Sequence, residues 1–179
     1  MLAIPIQTQE STSKVSGTSA CQSPRDIDAV KQASHRAIFG KGSETIGDED
    51  VRKTWQIDAA DLSFLNSRWE SWVQEELLPR CCKALGVPEW MKPDIRAELY
   101  KMLVYQEGAH FKPHKDTEKT PGMFATLAIC LPIEHEGGDL VVTHNETSLS
   151  WSSSSSSTFD MSFAMWYAKL TTRSSCLSR

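Results

Sequence analysis

The chain has 179 residues, 40% of them hydrophobic, and a formal net charge of −4. That length supports one domain with a sizeable core, and the acidic balance excludes the basic footprint of a nucleic-acid-binding surface. Met1 to Ile6 is apolar, but the run stops at Gln7 with no basic n-region and no long h-region. Neither a signal peptide nor a transmembrane segment is therefore expected. Cys21, Cys81, Cys82, Cys130 and Cys176 are odd in number and lack CxxC spacing. They read as reduced thiols of an intracellular protein, cytoplasmic or nuclear, rather than as a disulfide framework or a zinc site.

Residues 1–25 are rich in Ser, Thr and Gln with almost no aromatics, the composition of a disordered tail. Pro24-Arg25-Asp26 can start a short surface helix toward Ala37. Gly40-Lys41-Gly42-Ser43 has the wrong spacing for a phosphate-binding loop, which needs GxxxxGK[ST] between a strand and a helix. Val51 to Ile57 (VRKTWQI) reads as a strand with Trp55 on its buried face. Asp61 or Asn66 can cap a helix running to about Leu85. Its apolar residues Trp69, Trp72, Val73 and Leu77 fall on one face, and Gly86 then Pro88 stop it.

Several short strands follow, separated by turns. Ala97 to Tyr105 is apolar and aromatic, Gln106-Glu107-Gly108 is a turn, and His110 to His114 is extended, with Pro113 arguing against helix. Pro121-Gly122 turns the chain into Ala125 to Leu131, and Gly137-Gly138 turns it into Asp139 to His144. Ser148 to Ser157 is nearly all serine and is expected to be a flexible loop, and Asp160 to Tyr167 is a further strand. The pattern is that of an antiparallel sandwich or barrel with flanking helices.

His114-Lys115-Asp116 carries the most readable chemistry. Two side chains two apart on a strand share a face. An imidazole and a carboxylate so placed are two of the three ligands of the 2-His-1-carboxylate triad that holds non-haem Fe(II). His110 is excluded as the third. Four residues of strand span about 13 Å, whereas donors to one metal lie about 2 Å from it. His135, in a turn, and His144, at a strand end, are weak alternatives.

The run YxxGxxFxPHxD, Tyr105 to Asp116, with DTEKTPGMFATLAICLP and GGDLVVTH after it, resembles the 2-oxoglutarate- and Fe(II)-dependent dioxygenases. The likeness is to the prolyl 4-hydroxylase alpha-subunit-like branch, and extends less specifically from about Ile38 to Tyr167. It implies a double-stranded β-helix of the jelly-roll or cupin-like kind. It also implies Fe(II) on His114 and Asp116, 2-oxoglutarate as co-substrate, ascorbate as a possible reductant, and hydroxylation of a C–H in a protein or small-molecule substrate. It further places Tyr105 at the 2-oxoglutarate carboxylate, with Thr126 a weaker candidate. No nucleic acid or membrane partner is implied.

After Trp166-Tyr167 the family pattern carries a second iron-binding histidine and then a basic residue for the co-substrate. Here the chain reads AKLTTRSSCLSR, with no histidine after His144 and Thr172 near the histidine's place. Arg173 and Arg179 are wrongly spaced for the basic residue. The expectation is a tail at residues 1–25, a partial oxygenase domain at 26–167, and a segment at 168–179 that is no barrel strand and no continuation of the fold. An altered splice or misread exon boundary would produce that departure. The last strands would then be missing, and the non-catalytic alternative is a remnant or binding scaffold.

Overall fold

A computed structural model describes residues 2–8, 30–37, 39–41, 44–46, 50–154, 160–175 and 177–178. Its strands are β1 (Leu2–Thr8), β2 (His35–Arg36), β3 (Phe39–Lys41), β4 (Glu44–Ile46), β5 (Arg52–Lys53) and β6 (Trp55–Asp58). After a helix at residues 69–84, α1, come β7 (Ile95–Ala97), β8 (Lys101–Val104), β9 (His110–Lys115) and β10 (Ala125–Cys130). The chain continues through β11 (Glu136–Gly137), β12 (Leu140–His144), β13 (Thr147–Trp151), β14 (Ser162–Tyr167), β15 (Thr171–Ser174) and β16 (Leu177–Ser178). The protein is mainly β and its sheets are antiparallel. One sheet runs β14-β10-β1-β8-β6-β2 with β7 also on β1, and the other runs β13-β12-β15-β9-β5. The segment from β5 to β6 passes from the second sheet to the first at Thr54.

The apolar core lies on the outer face of the first sheet. Apart from Thr126, strand β10 is apolar on both sides, as suits a central strand covered on both faces. Ala125, Leu127 and Ile129 are fully buried under α1, against Val73, Leu77, Leu78, Cys81 and Cys82. The Gln74 side chain fixes the helix to β7, donating to the Ala97 carbonyl (2.5 Å) and accepting from its N–H (3.1 Å). Trp69 stacks on Phe64 at 4.8 Å between ring centroids. The inner faces of the two sheets meet through a smaller cluster of Ala128, Leu140, Trp166, Val142 and Trp151.

Four local expectations change. Leu2–Thr8, expected in the disordered tail, is a strand whose backbone pairs with Ala125 to Ile129 and so covers open ladder positions on β10; residues 9–25 lie outside the described residues, as do Gly42 and Ser43. The helix starts at Trp69 and not at Asp61, because Ala59–Asp61 forms a separate short turn and Asn66 Oδ1 accepts the Arg68 N–H locally. Thr147–Trp151, which takes in the start of the loop expected at Ser148 to Ser157, pairs with β12 around a turn in which Asn145 has φ 53°, a left-handed conformation asparagine tolerates. The rest of the serine run at residues 155–157 is outside the described residues.

The fourth change matters most. Thr171–Ser174, expected to lie outside the fold, is a central strand of the second sheet, paired with β12 on one side and β9 on the other. Its polarity concealed it. Thr172 is 1% exposed and faces a polar interior, so no apolar alternation marks the strand.

Leu127→Ala is expected to destabilise the protein by about 3 kcal/mol, since it opens a cavity between β10 and α1 that the surroundings fill only in part. Urea denaturation measures it, and a loss under about 1 kcal/mol would show that this layer is not the main core.

Candidate active site

Polar side chains are concentrated where the two sheets face each other, away from the outer apolar core. Arg52, Thr54 and Gln56, alternating along β5 and β6, are buried, and so are Lys101 on β8, Thr126 on β10 and Thr172 on β15. Buried polar groups are costly unless they are bonded. A sandwich that needed only stability would fill this space with aliphatic side chains, as β10 does on its other face. The inner space is thus apolar at the Leu140–Trp166 end and a polar chamber at the His114 end.

His114 lies on β9 directly across from Thr172 on β15. Its Nδ1 is 2.9 Å from the Lys112 carbonyl oxygen. An N–H donated there leaves a lone pair on Nε2, the tautomer a metal-binding or proton-accepting histidine needs. That Nε2 lies 3.7 Å from Asp116 Oδ1 and 3.4 Å from Thr172 Oγ1. Phe111 stacks on the imidazole at 3.5 Å between centroids, which fixes the ring plane.

Asp116 is held as firmly. Thr126 Oγ1 donates to its Oδ2 at 2.8 Å, and Trp166 Nε1 donates to the same oxygen at 2.9 Å. Oδ1 is left turned toward His114. Burial alone would raise the carboxyl, but the proximity of His114 and the hydrogen bonds from Thr126 and Trp166 outweigh it, and Asp116 sits below the ordinary carboxylate value. It is a carboxylate with one oxygen occupied and the other presented.

Tyr105 stands in the same chamber, its hydroxyl accepting a bond from Ser174 Oγ at 3.3 Å. The Arg52 guanidinium is 4.4 Å from the Phe111 ring centroid. Lys101 Nζ donates to Gln56 Oε1 at 2.7 Å. Burial brings Lys101 down from 10.5 to about 8, with the Arg52 and Lys119 charges adding and Asp58 opposing. Burial also lowers Lys119, where the charge of Asp116 acts the other way.

The structure therefore brings His114 and Asp116 together, sets Tyr105 against Ser174 of β15, and makes Thr126 a support of Asp116. His110 is set apart, its ring nitrogens each 3.3 Å from the Gly108 and Asp50 carbonyl oxygens. His135 is occupied with the Ile133 carbonyl oxygen and Ser153 Oγ, and His144 is exposed at the end of β12. Sequence reasoning assigned no role to Trp166, Arg52 or Lys101. The alternation of Arg52, Thr54 and Gln56, and a lysine inside the apolar run KMLVY, were the available signals.

The donor set was tested against the Fe(II) that the resemblance implies. The His114 and Asp116 donor atoms converge closely enough to share one ion after a small adjustment. The third corner is the neutral hydroxyl of Thr172, a poor ligand. Among the described residues no group of three His, Cys, Asp or Glu side chains is placed to hold a metal. His114 and Asp116 thus offer two donors, and the residues present do not fit a tightly held iron. Compared with known proteins, the chain matches no family model and no curated protein. Among the described residues no helix is long and apolar enough to cross a membrane.

Two predictions follow from this geometry. Trp166→Phe removes one donor to Asp116 and is expected to cost about 1–3 kcal/mol in urea denaturation; an unchanged midpoint would show that the indole bond does not hold the carboxylate. Lys101 supplies the second. Its folded value near 8 lies below the 10.5 of the open chain, so between those pH values the unfolded state binds more protons. This residue's contribution therefore makes the fold more stable as pH rises from 8 to 10.5. The stability gap between wild type and Lys101→Met should shift in favour of wild type over that range, and parallel pH profiles would contradict the burial of the ammonium.

Proposed function

We propose that this chain carries the jelly-roll domain of a 2-oxoglutarate- and Fe(II)-dependent oxygenase of the prolyl 4-hydroxylase-like kind, with its metal centre reduced to two ligands. The observation that supports the reading is the convergence of His114 Nε2, Asp116 Oδ1 and the buried Thr172 on one point of a polar chamber between two antiparallel sheets. Thr172 stands on the strand opposite His114, where a third ligand would complete the set. The orienting bonds to Lys112, Thr126 and Trp166 are those a ligand pair requires of its surroundings. In this reaction class dioxygen supplies one oxygen atom to a substrate C–H, giving C–OH, and the other to 2-oxoglutarate, giving succinate and CO2. The substrate class is a protein, prolyl or otherwise, or a small molecule.

Thr172 itself favours a second reading, a non-catalytic scaffold that keeps the chamber as a binding site. A hydroxyl that stays protonated adds no charge to neutralise a divalent cation, so the pair alone binds one weakly.

The two readings separate in one experiment on the full chain. Co(II) and Fe(II) affinity is measured anaerobically for wild type, Thr172→His and Thr172→Asp, with succinate formation followed in parallel. Weak metal binding by wild type is expected. At least about a 100-fold gain is expected in one of the Thr172 variants, in line with the large effects of even outer supports on metal sites. His114→Ala or Asp116→Ala should abolish that gain. Succinate formed by wild type and lost in both of those variants supports a working oxygenase. No gain in either Thr172 variant, with both folded, would overturn the metal-centre assignment.

A further inference from the structure

The first sheet ends in two unlike edges. At one end β2 is two residues long and consists of His35 and Arg36. Short, charged strands are the usual protection of a sheet edge against pairing with another chain. At the other end stands β14, six residues long, reading SFAMWY. With Met161 before it, the edge carries no charge, no proline and no glycine. Among the described residues β14 pairs with β10 alone.

The hydrogen bonding of β14 fixes which groups its open side presents. The Ala168 N–H donates to the Phe124 carbonyl at 2.9 Å, so in the β10–β14 register the even-numbered residues Ser162, Ala164 and Trp166 bond to β10. The N–H and C=O groups of Phe163, Met165 and Tyr167 then point away from the sheet. The Tyr167 carbonyl turns back to accept the Leu170 N–H at 2.9 Å, which leaves Phe163 and Met165 offering both groups outward. Apolar surface accompanies them. Met161, Phe163 and Tyr167 are 44%, 42% and 39% exposed. A row of outward backbone groups beside exposed apolar side chains is what an added strand covers.

The strand that fits is a second copy of β14. Two identical strands related by a two-fold axis run antiparallel and close into a dimer. With the axis at Ala164, Phe163 of one copy meets Met165 of the other, and the outward N–H and C=O groups of both residues satisfy one another. Phe163 and Met165 are two apart, so every side chain keeps to its own face of the extended sheet. The ends match as well. Asp160 precedes the strand and Lys169 follows it, and both are exposed. Antiparallel pairing brings the acidic end of each copy to the basic end of the other, whereas a parallel pair would set like charges together.

We propose that β14 is the interface of a homodimer in which the first sheet continues through two antiparallel copies of this strand. An interface of one strand per copy is small, so the dimer forms reversibly with concentration. It does not rest on the oxygenase reading.

The test is sedimentation of the full chain over a range of concentrations at low salt. A monomer–dimer equilibrium is expected, with amide hydrogen exchange at Phe163 and Met165 slowing as the dimer forms. Phe163→Lys places a charge on the pairing edge and should weaken dimerisation at least about ten-fold. Asp160→Lys and Lys169→Asp should each weaken it several-fold, and the double variant should return to within a few-fold of wild type. Both positions are exposed, so the charge reversals report on the interface even where Phe163→Lys fails to fold. A chain that stays monomeric at every concentration would overturn the proposal. So would a dimer whose Phe163 and Met165 amides exchange as they do in the monomer. Charge reversals without effect, or a loss that the double variant does not restore, would overturn the antiparallel two-fold arrangement.

Discussion

The Asp116 carboxylate ties the two sheets together. It follows β9 of the second sheet, yet its Oδ2 is held by Thr126 of β10 and Trp166 of β14, both in the first. Hydrogen bonds to an ionised acceptor are worth roughly 1.5–3 kcal/mol each, about twice the neutral kind. They also fix direction. With Oδ2 engaged, Oδ1 can only face His114, and His114 is oriented in turn by Lys112 and Phe111. The geometry of the chamber depends on that one group being charged, buried and satisfied.

The molecule divides its labour between the faces of one sheet. On the outer face, α1 and the aliphatic side chains of β10 make a close-packed layer that supplies stability without polar groups. On the inner face, buried polar groups take the place of aliphatic packing. Arg52, Gln56, Lys101, Thr126 and Thr172 are buried where apolar side chains would pack more cheaply. Strained or costly arrangements of this kind persist where the surrounding fold over-determines them, and they gather at functional sites. The alternation along β5 and β6 produces this division directly, since a period of two sends Arg52, Thr54 and Gln56 to one side and Lys53 and Trp55 to the other.

Thr172 is the pivot of the functional argument. Its strand is fully part of the second sheet, so the segment that looked foreign to the fold completes the wall opposite His114. The sheet is continuous at this place, with a threonine where the resemblance implies a histidine. A hydroxyl 3.4 Å from Nε2 can accept or donate one hydrogen bond, and it contributes no charge.

The sequence by itself determined the strands at His110 to His114, Ala125 to Leu131, Asp139 to His144 and Asp160 to Tyr167, the amphipathic helix under them, and the pairing of His114 with Asp116, because each is written in short-range periodicity or spacing. Trp69, Val73 and Leu77 mark the helix face whatever the rest of the chain does. Only the tertiary structure decided which groups meet across the sheets. Nothing local connects Thr172 to His114, 58 residues away, or Trp166 to Asp116, 50 residues away. Strand β15 escaped detection for the same reason: hydrophobic patterning reports burial in an apolar core, and a strand that faces a polar chamber carries no such pattern. Lys101 and Arg52 were ordinary charged residues in the sequence. Their burial is a property of the assembled sheets alone.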